Sequence, residues 1–327
     1  MRKNCLKNSV LCVKEGFSEI QQIGKGGDNT MASDFQQWVL SPVRWSTSFF
    51  FNGPRIWWRL FTDSKTSAVS TIFVQTIGAV FAAFVARWLG KVEYGRVATV
   101  ATYVNWFMVI YSYPVAQLTA KFIADGRRDN KPFERKCATS FWMGIFLGFV
   151  ALVFSLLLMP LGLSFYDIKD LGLPSVLFSL TYISSAPIGF CLFLLQAMGR
   201  VKLWAFLNIV NALSSLVIMI ISVIINPSLT LLRYFEIVLL GNVIVGIFSV
   251  WMCVKLLGLK NVFSPDLSVV KQILQAGLGG WVAVWSSYIA LQSVNTMIAK
   301  WAGKTELGYY QLIGTIATWV YNVIISV

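Results

Sequence analysis

Carboxylates gathered on one short segment are the usual raw material of acid–base or metal chemistry, and the densest group in this 327-residue chain is Asp125, Asp129 and Glu134. Catalysis by such a group requires surroundings that push the individual pKa values apart. Here the acids alternate with Arg127, Arg128, Lys131, Arg135 and Lys136, the pattern of a solvated charged stretch. The chain contains no histidine, which removes Ser-His and Cys-His nucleophile pairs, histidine-ligated metals and imidazole proton relays. Five cysteines (Cys5, Cys12, Cys137, Cys191 and Cys253) share no C-x-x-C spacing, so neither a thiolate metal site nor a disulfide framework is indicated. The residues point away from an enzyme and from a resident metal or cofactor.

A second set of chemically capable residues is neutral and lies inside long apolar runs. Asn208, Asn211 and Ser215 fall at i, i+3 and i+7, on one helical face. Thr71, Gln75, Gly78 and Ala82 form a polar-to-small stripe, Gln292 and Asn295 are three apart, and Asn105 and Ser112 are seven apart. Polar groups within a membrane are costly and turn inward, so Gln75, Asn105, Asn208, Asn211, Gln292 and Asn295 are candidates for a polar cavity. The same residue types also serve as packing contacts between membrane helices, and spacing alone does not separate the two roles. Arg87 and Lys300, at the edges of apolar runs, are candidates for meeting an anionic lipid or a diphosphate.

The elements that carry these residues follow from composition. Apolar residues make up 57% of the chain and charged ones 13%, about half the usual charged share of soluble domains. Mean hydropathy is +0.68. A membrane-crossing helix needs about 20 mostly apolar residues. Eight segments qualify: about 67–86, 97–120, 137–164, 174–198, 203–226, 234–258, 272–298 and 308–327. The runs are too long and too uniform for barrel strands, so the fold class is all-α, a polytopic transmembrane helix bundle. Of the 27 Lys and Arg residues, twenty fall in 1–66, 121–136, 199–202 and 254–271, and seven in the alternate connections. That bias places the N-terminus and the basic stretch KFIADGRRDNKPFERK in the cytoplasm and explains the net charge of +13 without nucleic acid. Residues 1–30 read as a polar tail, with Met31 an alternative start. Residues 35–62 mix Trp and Phe with Arg44, Arg55 and Arg59, which suits either a helix in the membrane interface or a juxtamembrane tail.

An internal repeat organises the spans. At a constant offset of 213, Ala86, Trp88, Gly90, Lys91, Glu93, Gly95, Thr102 and Trp106 recur as Ala299, Trp301, Gly303, Lys304, Glu306, Gly308, Thr315 and Trp319. Gly90 and Gly303 suit a helix C-cap, and Gly95 and Gly308 suit a tight start to the following helix. Span 1 then corresponds to span 7 and span 2 to span 8. An even offset preserves direction, so the halves are parallel repeats related by an axis along the membrane normal.

Three stretches carry a family resemblance: RWLGKVEYG with the span ending YPVAQLTAKFIADG, then LLQAMGRVKLWAFLNIVNALSSLVIMI, then SVNTMIAKWAGKTELGYYQLIGTIATW. The chain resembles the multidrug/oligosaccharidyl-lipid/polysaccharide exporter superfamily, and within it the O-antigen and polysaccharide flippases. That resemblance implies a parallel six-plus-six architecture, of which this chain holds spans 1–6 (residues 67–258, after a cytoplasmic segment 1–66) and the start of a second lobe (259–327), the rest being truncated. It also implies a multi-pass protein of the cytoplasmic (inner) membrane that flips a polyprenyl-diphosphate-linked oligosaccharide, as in lipopolysaccharide O-antigen synthesis, with the candidate amides binding sugar hydroxyls. Its implied partners are the lipid-linked oligosaccharide, membrane lipids, a polysaccharide polymerase and glycosyltransferases. Family members often carry an acidic residue where this chain has Asn295, so proton or sodium coupling is left without an assigned site. A multidrug or cation antiporter of the same superfamily is the alternative; it would need a membrane-embedded carboxylate, and none is central in these spans.

Overall fold

The computed structural model describes the backbone of residues 53–110, 114–129, 132–226 and 230–326. Most of the aromatic-rich stretch 35–62, and all of 1–30, lie outside the described residues. Residues 61–327 form one compact unit. Among the described residues the chain is helical and has no strand, as a membrane-embedded backbone must be when every N–H and C=O finds its partner within its own segment.

The helices are α1 (Gly53–Met108), α2 (Pro114–Asp129), α3 (Glu134–Leu157), α4 (Met159–Phe165), α5 (Gly172–Ala197), α6 (Val201–Ile225), α7 (Leu231–Leu257), α8 (Leu259–Val262), α9 (Ser268–Met297) and α10 (Lys304–Ser326). A short 3-10 turn, Lys169–Leu171, precedes α5, and a π-turn, Ile298–Ala302, extends α9. Five of the described segments are long and apolar enough to cross a membrane: Ser64–Met108, Glu134–Leu157, Lys169–Ala197, Val201–Ile225 and Leu231–Leu257. The fold is an all-α polytopic bundle.

Several boundaries differ from those read in the sequence: the connection expected at 87–96 is helical on both sides of Gly90, and the span expected over 137–164 breaks after Leu157. The second span, expected over 97–120, does not run unbroken: α1 stops at Met108, and α2 starts afresh at Pro114. Proline lacks the N–H that continues a helix and disfavours helical geometry at the residue before it, so Pro114 suits the first position of a new helix. The basic stretch 121–136, expected as a loop, is helical through Asp129 and again from Glu134.

α1 is two helices joined at a kink. Gly90, at φ 77° and ψ 167°, separates 53–89 from 91–108. Gly303, its counterpart in the repeat, separates α9 and its π-turn from α10 at φ 110° and ψ 164°. Both dihedral pairs lie where a Cβ is strained, and the same sharp redirection is built twice from the same residue. The copies also meet. A Cβ on Gly308 would lie 3.0 Å from the Cα of Gly95 and 3.1 Å from its nitrogen, while one on Gly95 would overlap the backbone of Lys304. Further along, the Gln311 amide donates to the Ala98 carbonyl (3.4 Å) and to the Thr102 hydroxyl (3.0 Å). Gln311 is the repeat equivalent of Ala98. Residues 95–102 therefore lie beside 308–311 in rising register, so 91–108 and α10 run side by side in the same direction.

Among the described residues three apolar clusters fill the bundle, the smallest being Val85 of α1 with Met219 of α6 and Ile237 of α7. One joins Phe122 and Ile123 of α2, Phe141 of α3, Leu194 and Leu195 of α5, Leu257 of α7 and, from α9, Val269 and Ile273. Another joins Val97, Val100 and Val104 of α1 with Leu152, Leu163, Tyr182 and Phe235, and takes Ala299 and Leu307 from the second copy, with Ile298 packed against it. Small residues allow the closest crossings: a Cβ on Gly246 of α7 would lie 2.8 Å from the Ser184 carbonyl oxygen of α5.

Candidate functional site

Between the repeat copies, polar side chains collect that an apolar core would not hold. The Trp106 indole donates to the Thr296 hydroxyl (3.1 Å), and the Tyr166 and Thr296 hydroxyls are 2.8 Å apart. Burial raises the Tyr166 phenol above its usual pKa, so its hydroxyl stays protonated. On the other side of the pair, the Trp319 indole donates to the Thr76 hydroxyl (2.9 Å). Trp106 and Trp319 are repeat equivalents. Each reaches from the second helix of its own copy to a threonine on the first helix of the other, the reciprocal pattern of a pseudo-two-fold contact. Trp281 of α9 donates to the Val109 carbonyl (3.1 Å) and ties the second copy to the end of α1.

The sequence candidates divide between this seam and the rest of the bundle. Gln292 and Asn295 lie on α9 just before Thr296; they are buried, and Asn295 Nδ2 sits 3.4 Å from Gln292 Oε1. Buried amides beside a hydrogen-bonded threonine form a continuous polar strip on the second copy. Gln75 and Asn105 are half-buried and precede Thr76 and Trp106 directly in the chain. Asn208 and Asn211 are half-buried on α6. Their stripe mate Ser215 faces α7, where its Oγ lies 2.8 Å from where a Cβ on Gly241 would be. That contact makes the α6 stripe a helix-packing face at Ser215.

The two cations differ as well. Arg87 is exposed. Lys300, its repeat equivalent, donates to the Phe165 carbonyl (2.8 Å), pairs with the Asp167 carboxylate (3.2 Å) and stands 5.3 Å from the Phe165 ring centroid. Lys304 donates to the Asp167 carbonyl (2.6 Å), and Arg96 pairs with both Glu93 (2.9 Å) and Asp170. Asp167 adopts φ 54°, uncommon for a residue with a Cβ, which presents both its carbonyl and its carboxylate to the lysines. Three cations therefore hold one turn, residues 165–170, at the end of the bundle where Gly90 and Gly303 break their helices.

Sequence reasoning missed Thr296, Tyr166, Thr76 and Gln311. The signal available was the repeat itself: the indoles Trp106 and Trp319, shared by the two copies, need acceptors, and Gln311 is a polar replacement for Ala98. Nothing in spacing could identify Tyr166, whose position depends on the fold of 159–168. Among the described residues no group of His, Cys, Asp or Glu is arranged to hold a metal.

An apolar bundle with a duplicated kink, joined along a polar and uncharged seam and closed by ion pairs at one end, is the setting in which the comparisons fall. No curated protein and no solved structure matches the chain. The sequence model described as polysaccharide biosynthesis protein matches residues 63–327, and the chain belongs to that family as a multi-pass membrane protein.

Proposed function

We propose that the protein carries a polyprenyl-diphosphate-linked oligosaccharide from the cytoplasmic to the outer leaflet, by alternating access between a first lobe (67–258) and a second that begins near 259. The observation that carries the reading is the seam: repeat-equivalent glycines touch, repeat-equivalent tryptophans reach reciprocally across, and both copies run in one direction. Parallel repeats of this kind hold substrate at their interface and expose it alternately by rocking. Gln75, Asn105, Gln292 and Asn295 then offer amides to sugar hydroxyls along that interface. The membrane family of polysaccharide biosynthesis supports a glycan cargo. The charge bias of the connections supports a cytoplasmic N-terminus and an outer position for the 165–170 turn.

The test is transport by full-length protein in vesicles loaded with a fluorescent polyprenyl-diphosphate oligosaccharide on one leaflet. The reading expects protein-dependent appearance of the glycan on the opposite leaflet, detected by a membrane-impermeant lectin. A glycan that stays where it was loaded, with protein correctly inserted, overturns it.

A further inference from the structure

The turn at 165–170 is held from both copies of the repeat, but by unequal means. From the second copy come Lys300 and Lys304, which take the Phe165 carbonyl and the carbonyl and carboxylate of Asp167. From the first copy comes Arg96, which takes Asp170. The pseudo-two-fold that relates the copies carries Lys300 to Arg87, Lys304 to Lys91 and Arg96 to Tyr309. Arg87 and Lys91 are exposed, lie four residues apart in the chain on either side of the Gly90 kink, and bond no acid among the described residues. Glu93 is the nearest carboxylate along the chain, and its oxygen is already engaged by Arg96 at 2.9 Å.

We infer that Arg87 and Lys91 form the second half of a two-fold clamp and dock a turn of the second membrane half that presents one carboxylate and neighbouring outward carbonyls, as 165–167 does in the first. The inference rests on the two-lobe reading above. The occupant is fixed by charge and by the symmetry of an observed contact: paired cations whose equivalents bind a peptide turn are matched to a peptide turn. The symmetry also predicts how the second clamp differs. Tyr309 stands where Arg96 would be, so the position matching Asp170 has a phenol facing it and needs no acid. The second turn is held by two cations and the first by three, which makes the Arg87/Lys91 side the weaker of the two.

Photo-crosslinking in full-length protein, in its own membrane, tests this. A benzoylphenylalanine is placed at Arg87 in one variant and at Lys91 in another, so that each keeps one cation, and at Lys300 as a reference. The expected result is capture of residues 165–170 from Lys300, and of a single intramolecular turn bearing one Asp or Glu from Arg87 and Lys91. Pairing Arg87→Glu with Lys91→Glu should reduce that capture at least tenfold from a neighbouring probe at Val92, and changing the captured acid to Lys should restore it. Capture of lipid alone, capture of a segment without an acid, capture from a different protein, or a Lys300 reference that misses 165–170 each overturns the inference. Transport measured in the same preparations separates the outcomes: intact glycan translocation with no captured turn removes the clamp and leaves the two-lobe reading standing.

Discussion

The second repeat copy is fixed to the rest of the bundle in two chemically different ways. At the start of α9, Val269 and Ile273 sink into an apolar core with Phe141, Leu194, Leu195 and Leu257. At the far end, past Gln292, Ala299 and Leu307 still enter an apolar core, but a polar set stands beside them: Thr296 to Trp106 and Tyr166, Gln311 to Thr102, and Lys300 and Lys304 to the 165–167 turn. Interlocked apolar side chains have no partial state in which half the contact survives, whereas exposed ion pairs and single hydrogen bonds exchange partners at a cost of about 1 kcal/mol each. The far end therefore carries, beside its apolar contacts, the bonds that exchange most readily. The proposed rocking of the lobes would use that difference, with its pivot at the start of α9 and its opening at the glycine breaks.

The largest effect expected from breaking this contrast comes at the glycine contact. Gly95→Val drives a side chain into the backbone of Lys304, which cannot move aside as a flexible side chain would. Overpacking of this kind costs about 1–3 kcal/mol. Thermal unfolding followed by size-exclusion fluorescence should show a clear loss; an unchanged melting temperature would mean the copies do not touch there. Next is Ile273→Ala at the apolar end. The residue is fully buried, and because lipid replaces water as the alternative environment, the loss is mainly of packing, about 1–2 kcal/mol. The account expects lowered stability without any change in labelling of a cysteine at Gln311, since the polar end is untouched.

Thr296→Val removes the acceptor for Trp106 and the partner of Tyr166 while keeping the shape. Interhelical hydrogen bonds within membranes average about 0.6 kcal/mol, so stability should fall little while the seam loosens. Labelling of Gln311→Cys by an impermeant thiol reagent should rise severalfold; protection equal to that in the parent would show that the bond does not hold the seam. The smallest effect on stability belongs to Lys304→Ala, below about 1 kcal/mol for an exposed contact, with the same rise in labelling and greater salt sensitivity in the parent than in the variant.

Much of this was legible in the residues. Span length and hydropathy suffice for helices because the bilayer forbids any other unclosed backbone, and the fixed offset of 213 carried both the duplicated kink at Gly90 and Gly303 and the parallel direction. The break before Pro114 was readable too, from a proline inside an apolar run, but the hydropathy of the surrounding residues concealed it. Sites were harder. Asn208 and Gln292 look alike in sequence, a lone amide in an apolar helix, and only tertiary packing separates one near a helix-packing stripe from one beside the repeat seam. Tyr166 and Asp167 gave no sequence signal, since their role depends on a turn that folds back to meet lysines 133–137 residues later.

The central claim is that the copies must part at the 165–167 contact for cargo to cross. It is tested by joining Asp167→Cys to Lys304→Cys with a short thiol-cleavable bismethanethiosulfonate in full-length protein, and measuring glycan translocation in vesicles before and after reduction. The account predicts that linked protein stops transporting and recovers when the link is cut. Transport by fully linked protein at the rate of the reduced form would contradict it.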